Sequence, residues 1–372
     1  MLSRRSFLML SGTLITTPTW AALSQQEAGA ALYASAYSLD KNTHFFALFD
    51  DEGSISWTAP LSQRAHAPVI HPRQSIVGIV GRRPGFFMDF FDVSSNQRIK
   101  RIEPSKDHHF YGHALFSADG TQLITQENYY PTGEGKIFIR DWPSGNILQS
   151  FSSNGIGPHE SVFLNDQVLV IANGGLMTHP REDRNILNLD TMQSNVTYLS
   201  LKEGRILNQA THHEALHQLS IRHLDVNQKG TVALGFQYQG DMWDQVPLVA
   251  LSRLDRPELD YLPMPEDIRV RFKQYCGSVC FDKSGDILAI STPRGGLVAF
   301  WHVETKTFLG VENCRDVCGL VSTSNAHEFL LTSGTGAQLK SNPVQNTSEM
   351  IKNHTNIQWD NHFRQINIEN YA

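Results

Sequence analysis

The segment His113-Ala-Leu-Phe-Ser-Ala-Asp-Gly-Thr-Gln-Leu-Ile-Thr125 sets two apolar runs on either side of an Asp-Gly turn, a pattern typical of a β-hairpin. The segment Phe281-Asp-Lys-Ser-Gly-Asp-Ile-Leu-Ala-Ile-Ser291 repeats the pattern, and further apolar runs follow at residues 296–303 and 307–311. Groups of four short strands recur about every 40 to 60 residues, which is the period of β-propeller blades. The chain is therefore predicted to be an all-β propeller.

The inner strands of the predicted blades can be placed from the same repeat. Six of them begin at His66, His113, His159, His223, Ser278 and Gly319. The region before His66 supplies only three strands, at residues 32–37, 44–50 and 54–60, so its inner strand is missing. Residues 361–368 can supply it, and pairing of the two chain ends then closes seven blades and protects the sheet edges. Residues 22–372 are expected to form one domain.

Residues 1–21 have the features of a twin-arginine export signal. Arg4 and Arg5 precede a short apolar run at residues 7–15, and Thr19-Trp20-Ala21 offers a cleavage site. The pattern predicts export of the folded protein to the periplasm, and a Sec-type signal with two chance arginines is the alternative. No later segment reaches about 18 uninterrupted apolar residues, so no stable membrane span is expected.

The composition excludes some classes of function. The chain has 31 Lys and Arg against 37 Asp and Glu, a formal net charge of -6 and no basic patch, which argues against binding to nucleic acid. It has no Gly-x-Ser-x-Gly, His-Glu-x-x-His or phosphate-binding glycine motif, so the residues do not decide whether it is an enzyme. Of its four cysteines, Cys276 and Cys314 are the candidates for a disulfide in an oxidising compartment.

Five histidines stand in one register of the repeat, each seven residues before the turn: His66, His113, His159, His223 and His362. In a ring of blades these side chains converge on the axis. Neutral imidazoles suit copper, iron, zinc or nickel, and Glu127 and Glu160 are the acids expected to orient them. Because the ring is wide, about three or four of the five are expected to share one ion. The alternative is structural, with each histidine hydrogen-bonding the next blade.

Long polar connections gather on one face of the predicted propeller. The insertions at residues 174–194 and 211–222 are expected to be ordered lids on this face. Its arginines and glycine-rich loops suit a pocket for an anionic ligand, although each arginine taken singly also suits a salt bridge between blades. The ligand-binding face is predicted to include Arg82, Arg83, Asn128, Asn173, His179, His217, Arg222, Gln237 and Arg294.

Several segments resemble a bacterial family of exported propeller proteins, domain of unknown function 1513. The carrying segments include Phe110-Tyr-Gly-His113, Gly155-Ile-Gly-Pro-His-Glu160, Leu216-His-Gln-Leu-Ser-Ile-Arg-His223, Ser291-Thr-Pro-Arg-Gly-Gly296 and Trp359-Asp-Asn-His362. The resemblance implies a periplasmic propeller linked to imelysin-like and di-haem peroxidase-like proteins in iron handling, and no particular reaction. The Asn-rich stretch at residues 341–356 departs from the family pattern and is expected to be poorly ordered.

These observations lead to one principal hypothesis and two alternatives. The principal hypothesis is a periplasmic propeller that binds a transition metal, iron or copper, or a metal-containing cofactor such as haem. The ligand lies at an axial mouth lined by histidine and arginine, and the protein works in iron acquisition. One alternative is a metal-dependent oxidoreductase that uses the same histidines as ligands. The other is a non-catalytic scaffold that docks a periplasmic redox or iron-binding partner.

Overall fold

The computed structural model describes residues 31–182 and 185–366, so the predicted signal at residues 1–21 lies outside the described residues. The described chain folds into seven sheets of four strands, and neighbouring strands in each sheet are antiparallel. The sheets stand in a ring as the blades of a β-propeller, which confirms the predicted fold. No helix in the described part of the chain has the length and apolar character needed to cross a membrane.

Strands are numbered along the chain, and the blades are counted in the same direction. Blade 1 contains β1 (Leu32–Asp40), β2 (Thr43–Asp50) and β3 (Ile55–Leu61). Blade 2 contains β4 (Ala65–Ile70), β5 (Ile76–Gly81), β6 (Met88–Asp92) and β7 (Gln97–Ile102). Blade 3 contains β8 (His108–Phe116), β9 (Gln122–Tyr129), β10 (Glu134–Asp141) and β11 (Ile147–Ile156). Blade 4 contains β12 (Pro158–Asn165), β13 (Val168–Asn173), β14 (Asn195–Ser200) and β15 (Ile206–Thr211).

The second half of the ring follows the same order. Blade 5 contains β16 (Leu219–Val226), β17 (Val232–Tyr238), β18 (Val249–Arg253) and β19 (Arg256–Tyr261). Blade 6 contains β20 (Ser278–Phe281), β21 (Ile287–Thr292), β22 (Leu297–His302) and β23 (Thr307–Asn313). Blade 7 contains β24 (Val317–Ser322), β25 (Phe329–Ser333), β26 (Ala337–Asn342) and β27 (Thr347–Asn353), and β28 (Gln358–Ile366) returns to blade 1. The helical segments are α1 (Glu266–Arg271) and 3-10 turns at Pro180–Glu182, Leu189–Thr191 and Glu214–Leu216.

Strand β28 closes the ring, as predicted. It pairs antiparallel with β1, where Tyr37 lies opposite Trp359, and it packs against β4 and β24 on its two sides. The fully buried ring of Phe363 contacts the rings of Tyr33 and Phe49. Blade 1 therefore takes its inner strand from the far end of the described chain, and the inner edge of β1 is covered.

Apolar side chains fill the space between neighbouring blades, since both faces of the middle strands are buried. In blade 6, Trp301 packs towards blade 5, whereas the adjacent Phe300 packs towards blade 7. Because neighbouring residues of a strand face opposite sides of the blade, this alternation also decides the predicted disulfide between Cys276 and Cys314, which is wrong. Cys276 packs in the first of these layers and Cys314 in the second, on opposite faces of the blade, and both are free, buried thiols.

Residues 341–356 complete blade 7 and do not form the poorly ordered excursion expected from their composition. Here β26 and β27 pair antiparallel, with Ser341 opposite Ser348. Strand β27 is the outermost strand of its blade and is largely exposed. Its polar sequence therefore reflects contact with water on a regular strand.

Candidate metal centre

A bulge in the inner strand aims each of the predicted histidines towards the axis. Register shifts fall beside His66 in β4, His113 in β8, His159 in β12 and His223 in β16, and a shift in β1 lies opposite the segment of β28 that carries His362. A bulge adds a residue to one strand and re-aims the side chains beside it. Regular pairing continues before the bulge, so β8 begins at His108 and not at the predicted His113.

Gly112 shows how closely the inner strands approach one another. Its φ is +105°, in the region that favours glycine, and a Cβ at this position would lie 2.5 Å from Cδ2 of His66. The bulge of β8 therefore passes directly against the imidazole of the neighbouring blade.

The five imidazoles form one buried group on the axis, here called the histidine cluster: His66, His113, His159, His223 and His362. The ring centroids of His66 and His362 lie 4.5 Å apart, and those of His159 and His223 lie 4.7 Å apart. His113 lies between these pairs, 4.8 Å from His362 and 5.2 Å from His159. None of the five residues is more than 5% exposed. The bulges thus bring together all five side chains that share the register.

Glu160 fixes the orientation of two of these imidazoles. Its Oε1 lies 3.2 Å from Nδ1 of His113, and its Oε2 lies 3.0 Å from Nδ1 of His223. A carboxylate only accepts hydrogen bonds, so both Nδ1 atoms carry the proton and both Nε2 atoms keep a lone pair for a metal. Burial by itself raises the pKa of Glu160, but His113 and His223 hold that pKa well below its ordinary value.

The surroundings favour the neutral form of four of the five imidazoles. Burial is the largest cause that lowers the pKa of His66, His159 and His362 well below the ordinary value, and that of His223 to about 4. Nε2 of His113, Nε2 of His362 and both ring nitrogens of His66 have no hydrogen-bond partner within the described structure. Buried polar atoms are seldom left without partners, and neutral nitrogens that face one another are suited to a metal ion.

Two sets of three histidines have the spacing of metal ligands. The donor atoms of His66, His113 and His362 all lie within 4.8 Å of one another, and so do those of His113, His159 and His223. His113 belongs to both sets, and Glu160 already holds its Nδ1. Its single remaining nitrogen can bind only one ion, so the two sets would compete for the same metal.

Three supporting residues were not predicted from the sequence. Oγ of Ser278 lies 2.9 Å from Nδ1 of His362, and Ser278 holds the position in blade 6 that histidine holds in other blades. Asp360 accepts a hydrogen bond from Nε of Arg64 over 2.5 Å, and Arg364 donates one to Glu160 over 3.0 Å. Asp360 and Arg364 stand two residues before and after His362 on β28.

A cavity of about 480 Å³ opens onto the histidine cluster from the loop-rich face. His66, His159 and His223 contribute to its lining. Of the nine residues predicted for the ligand-binding face, five line this cavity: Arg82, Arg83, Arg222, Gln237 and Arg294. We call this space the arginine cavity. Imidazoles and cationic side chains therefore border the same cavity.

The other four predicted face residues serve local structure. Asn128 contacts the imidazole of His109, Asn173 donates to the Ser153 carbonyl, His179 packs on the Tyr130 ring, and His217 contacts the Glu214 carbonyl. The prediction that Glu127 orients the histidines is also wrong. Its Oε1 accepts a hydrogen bond from Arg140 of blade 3 over 2.6 Å, and its Oε2 accepts one over 2.9 Å from the amide of Ser105, which lies between blades 2 and 3.

The sequence of this propeller matches the model of a known protein family. The family described as "Protein of unknown function (DUF1513)" matches residues 59–366, a range that contains all seven inner strands. The chain belongs to this family. The matched range also contains the histidine cluster, Glu160 and the arginines of the cavity. No curated protein matches this DUF1513 chain.

Two solved structures are similar to this DUF1513 protein in fold. A chain of "Kuenenia stuttgartiensis Hydrazine Synthase" matches 86% of this chain and 94% of its own length, with 12% sequence identity and a TM-score of 0.59. A chain of "Crystal Structure of Mitotic Checkpoint Complex" matches 77% of this chain and 76% of its own length, with 11% identity and a TM-score of 0.57. At these identities the likeness shows the propeller fold alone.

Proposed function

We propose that this DUF1513 protein binds a single transition metal ion at the histidine cluster. The observation that carries the proposal is the pair of overlapping histidine sets, each with its donor atoms within 4.8 Å. The donors are buried, and Glu160 orients two of them with their Nε2 atoms available. Iron, copper, zinc and nickel are the metals that imidazole ligands suit.

An ion in the cluster is also accessible to a ligand. Three histidines leave a coordination position open, as in metal sites that bind an exogenous molecule. His66, His159 and His223 border the arginine cavity, so the open position faces that space. This arrangement suits a protein that takes up a metal and releases it, because a sealed structural site has no open position.

The cellular setting is part of the proposal. The arginine pair at Arg4 and Arg5 supports export to the periplasm, and the family resemblance supports a role in iron acquisition. The same resemblance supports imelysin-like and di-haem peroxidase-like proteins as partners. Iron is accordingly the first metal to test.

Metal analysis of the protein purified after export with its own signal tests the proposal. We expect about one ion per chain in the wild type and loss of that ion in His113→Gln, since His113 belongs to both ligand sets. His66→Leu is a second variant that should keep its fold, because neither ring nitrogen of His66 makes a hydrogen bond in the described structure. His109→Gln is the control, a buried histidine outside the cluster.

Circular dichroism confirms that each variant is folded. Wild-type protein that carries no metal, and takes up none when titrated with iron, copper, zinc or nickel, contradicts the proposal. Folded His113→Gln protein that retains the wild-type metal content contradicts it as well, because His113 belongs to both ligand sets.

A further inference from the structure

We infer that the arginine cavity binds a small organic carboxylate, and that the metal reaches the histidine cluster as the complex of that carboxylate. The second half of the inference rests on the proposed function. The carboxylate site depends on the arginines and the metal site on the histidine cluster, so either site can be disproved without the other.

The cavity holds more positive charge than its neighbouring acids balance. Arg82 has Asp360 at 3.6 Å. For Arg83, Arg222 and Arg294, the described residues provide no carboxylate within the 4.0 Å of a salt bridge. Three guanidinium groups therefore line one space of about 480 Å³ and have no acidic partner among the described residues. Guanidinium groups bind carboxylates through two parallel hydrogen bonds, so this lining is suited to an anion with paired oxygens.

Arg222 gives the most specific evidence for an anion. The residue is 8% exposed, and its Nε and Nη1 have no hydrogen-bond partner in the part of the chain that the structure describes. A buried charge without a partner destabilises a fold, and its presence in a cavity indicates that a ligand supplies the opposite charge. Gly174 has no side chain and so lets the backbone lie close to this guanidinium, since a Cβ at this position would be 3.1 Å from Nη1 of Arg222.

The rest of the lining indicates an organic ligand. Aromatic and apolar side chains stand between the arginines: Tyr111, Leu176, Ile186, Tyr238, Met242 and Tyr275. The guanidinium of Arg294 lies over the Tyr275 ring at 4.3 Å, so its flat face is already used and its edge is left for oxygen atoms. The volume lies within the range of about 300 to 1,000 Å³ found for small-molecule sites. Inorganic phosphate fills little of such a space and makes no use of its apolar wall.

The charge of the cavity also bears on how a metal enters. Guanidinium groups repel a bare cation at the mouth and attract an anionic complex. A carboxylate oxygen can then occupy the coordination position that three histidines leave open, while the remaining carboxylates contact the arginines. The ligand class is therefore the anionic complex of a metal with a di- or tricarboxylic acid.

Isothermal titration calorimetry on the metal-free protein tests this inference. The probes are citrate, inorganic phosphate and the iron(III) complex of citrate. Arg222→Gln removes one charge from the cavity, and Arg205→Gln removes one from an exposed arginine elsewhere. We expect citrate to bind the wild type and Arg205→Gln alike, and Arg222→Gln at least about tenfold more weakly. Arg83→Gln repeats the test at a second cavity arginine.

A variant of the histidine cluster distinguishes carboxylate binding from metal binding. We expect His113→Gln to bind citrate as the wild type does, and to lose the tighter binding that iron(III) citrate shows in the wild type. Citrate binding that is unchanged in Arg222→Gln and Arg83→Gln, or phosphate binding as tight as that of citrate, overturns the carboxylate site. Uptake of bare metal without citrate binding overturns this inference and leaves the proposed function standing. Citrate binding without any metal uptake overturns the proposed function and the second half of this inference, and leaves the carboxylate site standing.

Discussion

Replacing Arg222 with methionine should make the metal-free protein more stable. Arg222 is buried, and its Nε and Nη1 lack hydrogen-bond partners in the described structure. Most buried side chains contribute to stability, so their replacement usually lowers the free energy of unfolding. Methionine keeps the apolar length of the arginine stem and removes the charge. The expected change therefore has the opposite sign from that of an ordinary core substitution.

The size of the expected gain in stability follows from the pKa of Arg222. Burial, and next the charge of Arg83, lowers this pKa to about 10. The corresponding free energy of holding the guanidinium charged in the folded state is about 3 kcal/mol at neutral pH. Relaxation of the cavity around the charge reduces the effect, and we expect a gain of about 2 kcal/mol in the free energy of unfolding. Such a gain is large beside a total stability of about 5 to 15 kcal/mol.

Arg140 provides a matched control with the opposite outcome. It is as buried as Arg222, but its Nη2 lies 2.6 Å from Oε1 of Glu127. Arg140→Met leaves that carboxylate buried without its partner, so the free energy of unfolding should fall by about 3 to 5 kcal/mol. Both substitutions remove a guanidinium group that is buried to a similar extent. The two sites differ in that Arg140 is paired with a carboxylate and Arg222 is not.

Urea unfolding at neutral pH, followed by circular dichroism, measures both variants against the wild type. The protein must be free of metal and of carboxylate buffers, because a bound anion stabilises the wild type and hides the gain. If Arg222→Met is less stable than the wild type, the guanidinium is satisfied in the folded protein and the reasoning about its charge is refuted.

The remaining predictions concern the backbone, pH and closure of the ring. Gly112→Ala should lower the free energy of unfolding by about 2 kcal/mol and weaken metal binding, since its Cβ meets His66 at 2.5 Å. Gly230→Ala, at φ +72° with its nearest atom 3.7 Å away, should lower stability alone, and metal titration of both variants distinguishes the cases. Burial lowers the pKa of His109 to about 4. Between about pH 6.5 and pH 4 only the unfolded state takes up a proton at this residue, so the contribution of His109 to the free energy of unfolding is complete above about pH 6.5 and is lost as the pH falls towards 4. From about pH 7 to pH 4.5 the wild type should therefore lose about 2 kcal/mol more than His109→Gln in urea unfolding, and parallel losses speak against this. Phe363→Ala should cost about 4 kcal/mol in the same assay, because it opens a cavity between β28 and β1, and a cost below about 1 kcal/mol shows that the strand is not held there.

The ring and its closure could be predicted because they depend on local signals. An Asp-Gly or Ser-Gly turn between two apolar runs specifies a hairpin wherever it occurs, as at Asp119-Gly120 and Ser284-Gly285. Counting such hairpins leaves the first blade one strand short, and only the opposite end of the chain carries the same register. The position of β28 beside β1 follows from that count.

Only part of the support of the site could be predicted. The sequence indicates Glu160, but the contacts of Ser278, Asp360 and Arg364 depend on bulges and on strand register. Glu127 and Glu160 both stand near predicted histidines, yet only the shift beside Glu160 sends its carboxylate to the cluster. Which face of a blade a side chain occupies changes with every residue of register. Cys276 and Cys314 therefore pack on opposite sides of blade 6, although they begin equivalent Cys-x3-Cys pairs.

The closing strand connects ligand binding to the integrity of the whole molecule. One of the two histidine sets takes His66 from blade 2, His113 from blade 3 and His362 from β28. An ion held there is a reversible cross-link between the terminal strand and the body of the ring. By thermodynamic linkage, a ligand at a hundred times its Kd adds about 2.7 kcal/mol to the closed form. Under the proposed function, release of the metal would withdraw that stabilisation from the pairing of β28 with β1, so the loaded and emptied proteins should differ in how readily these strands separate.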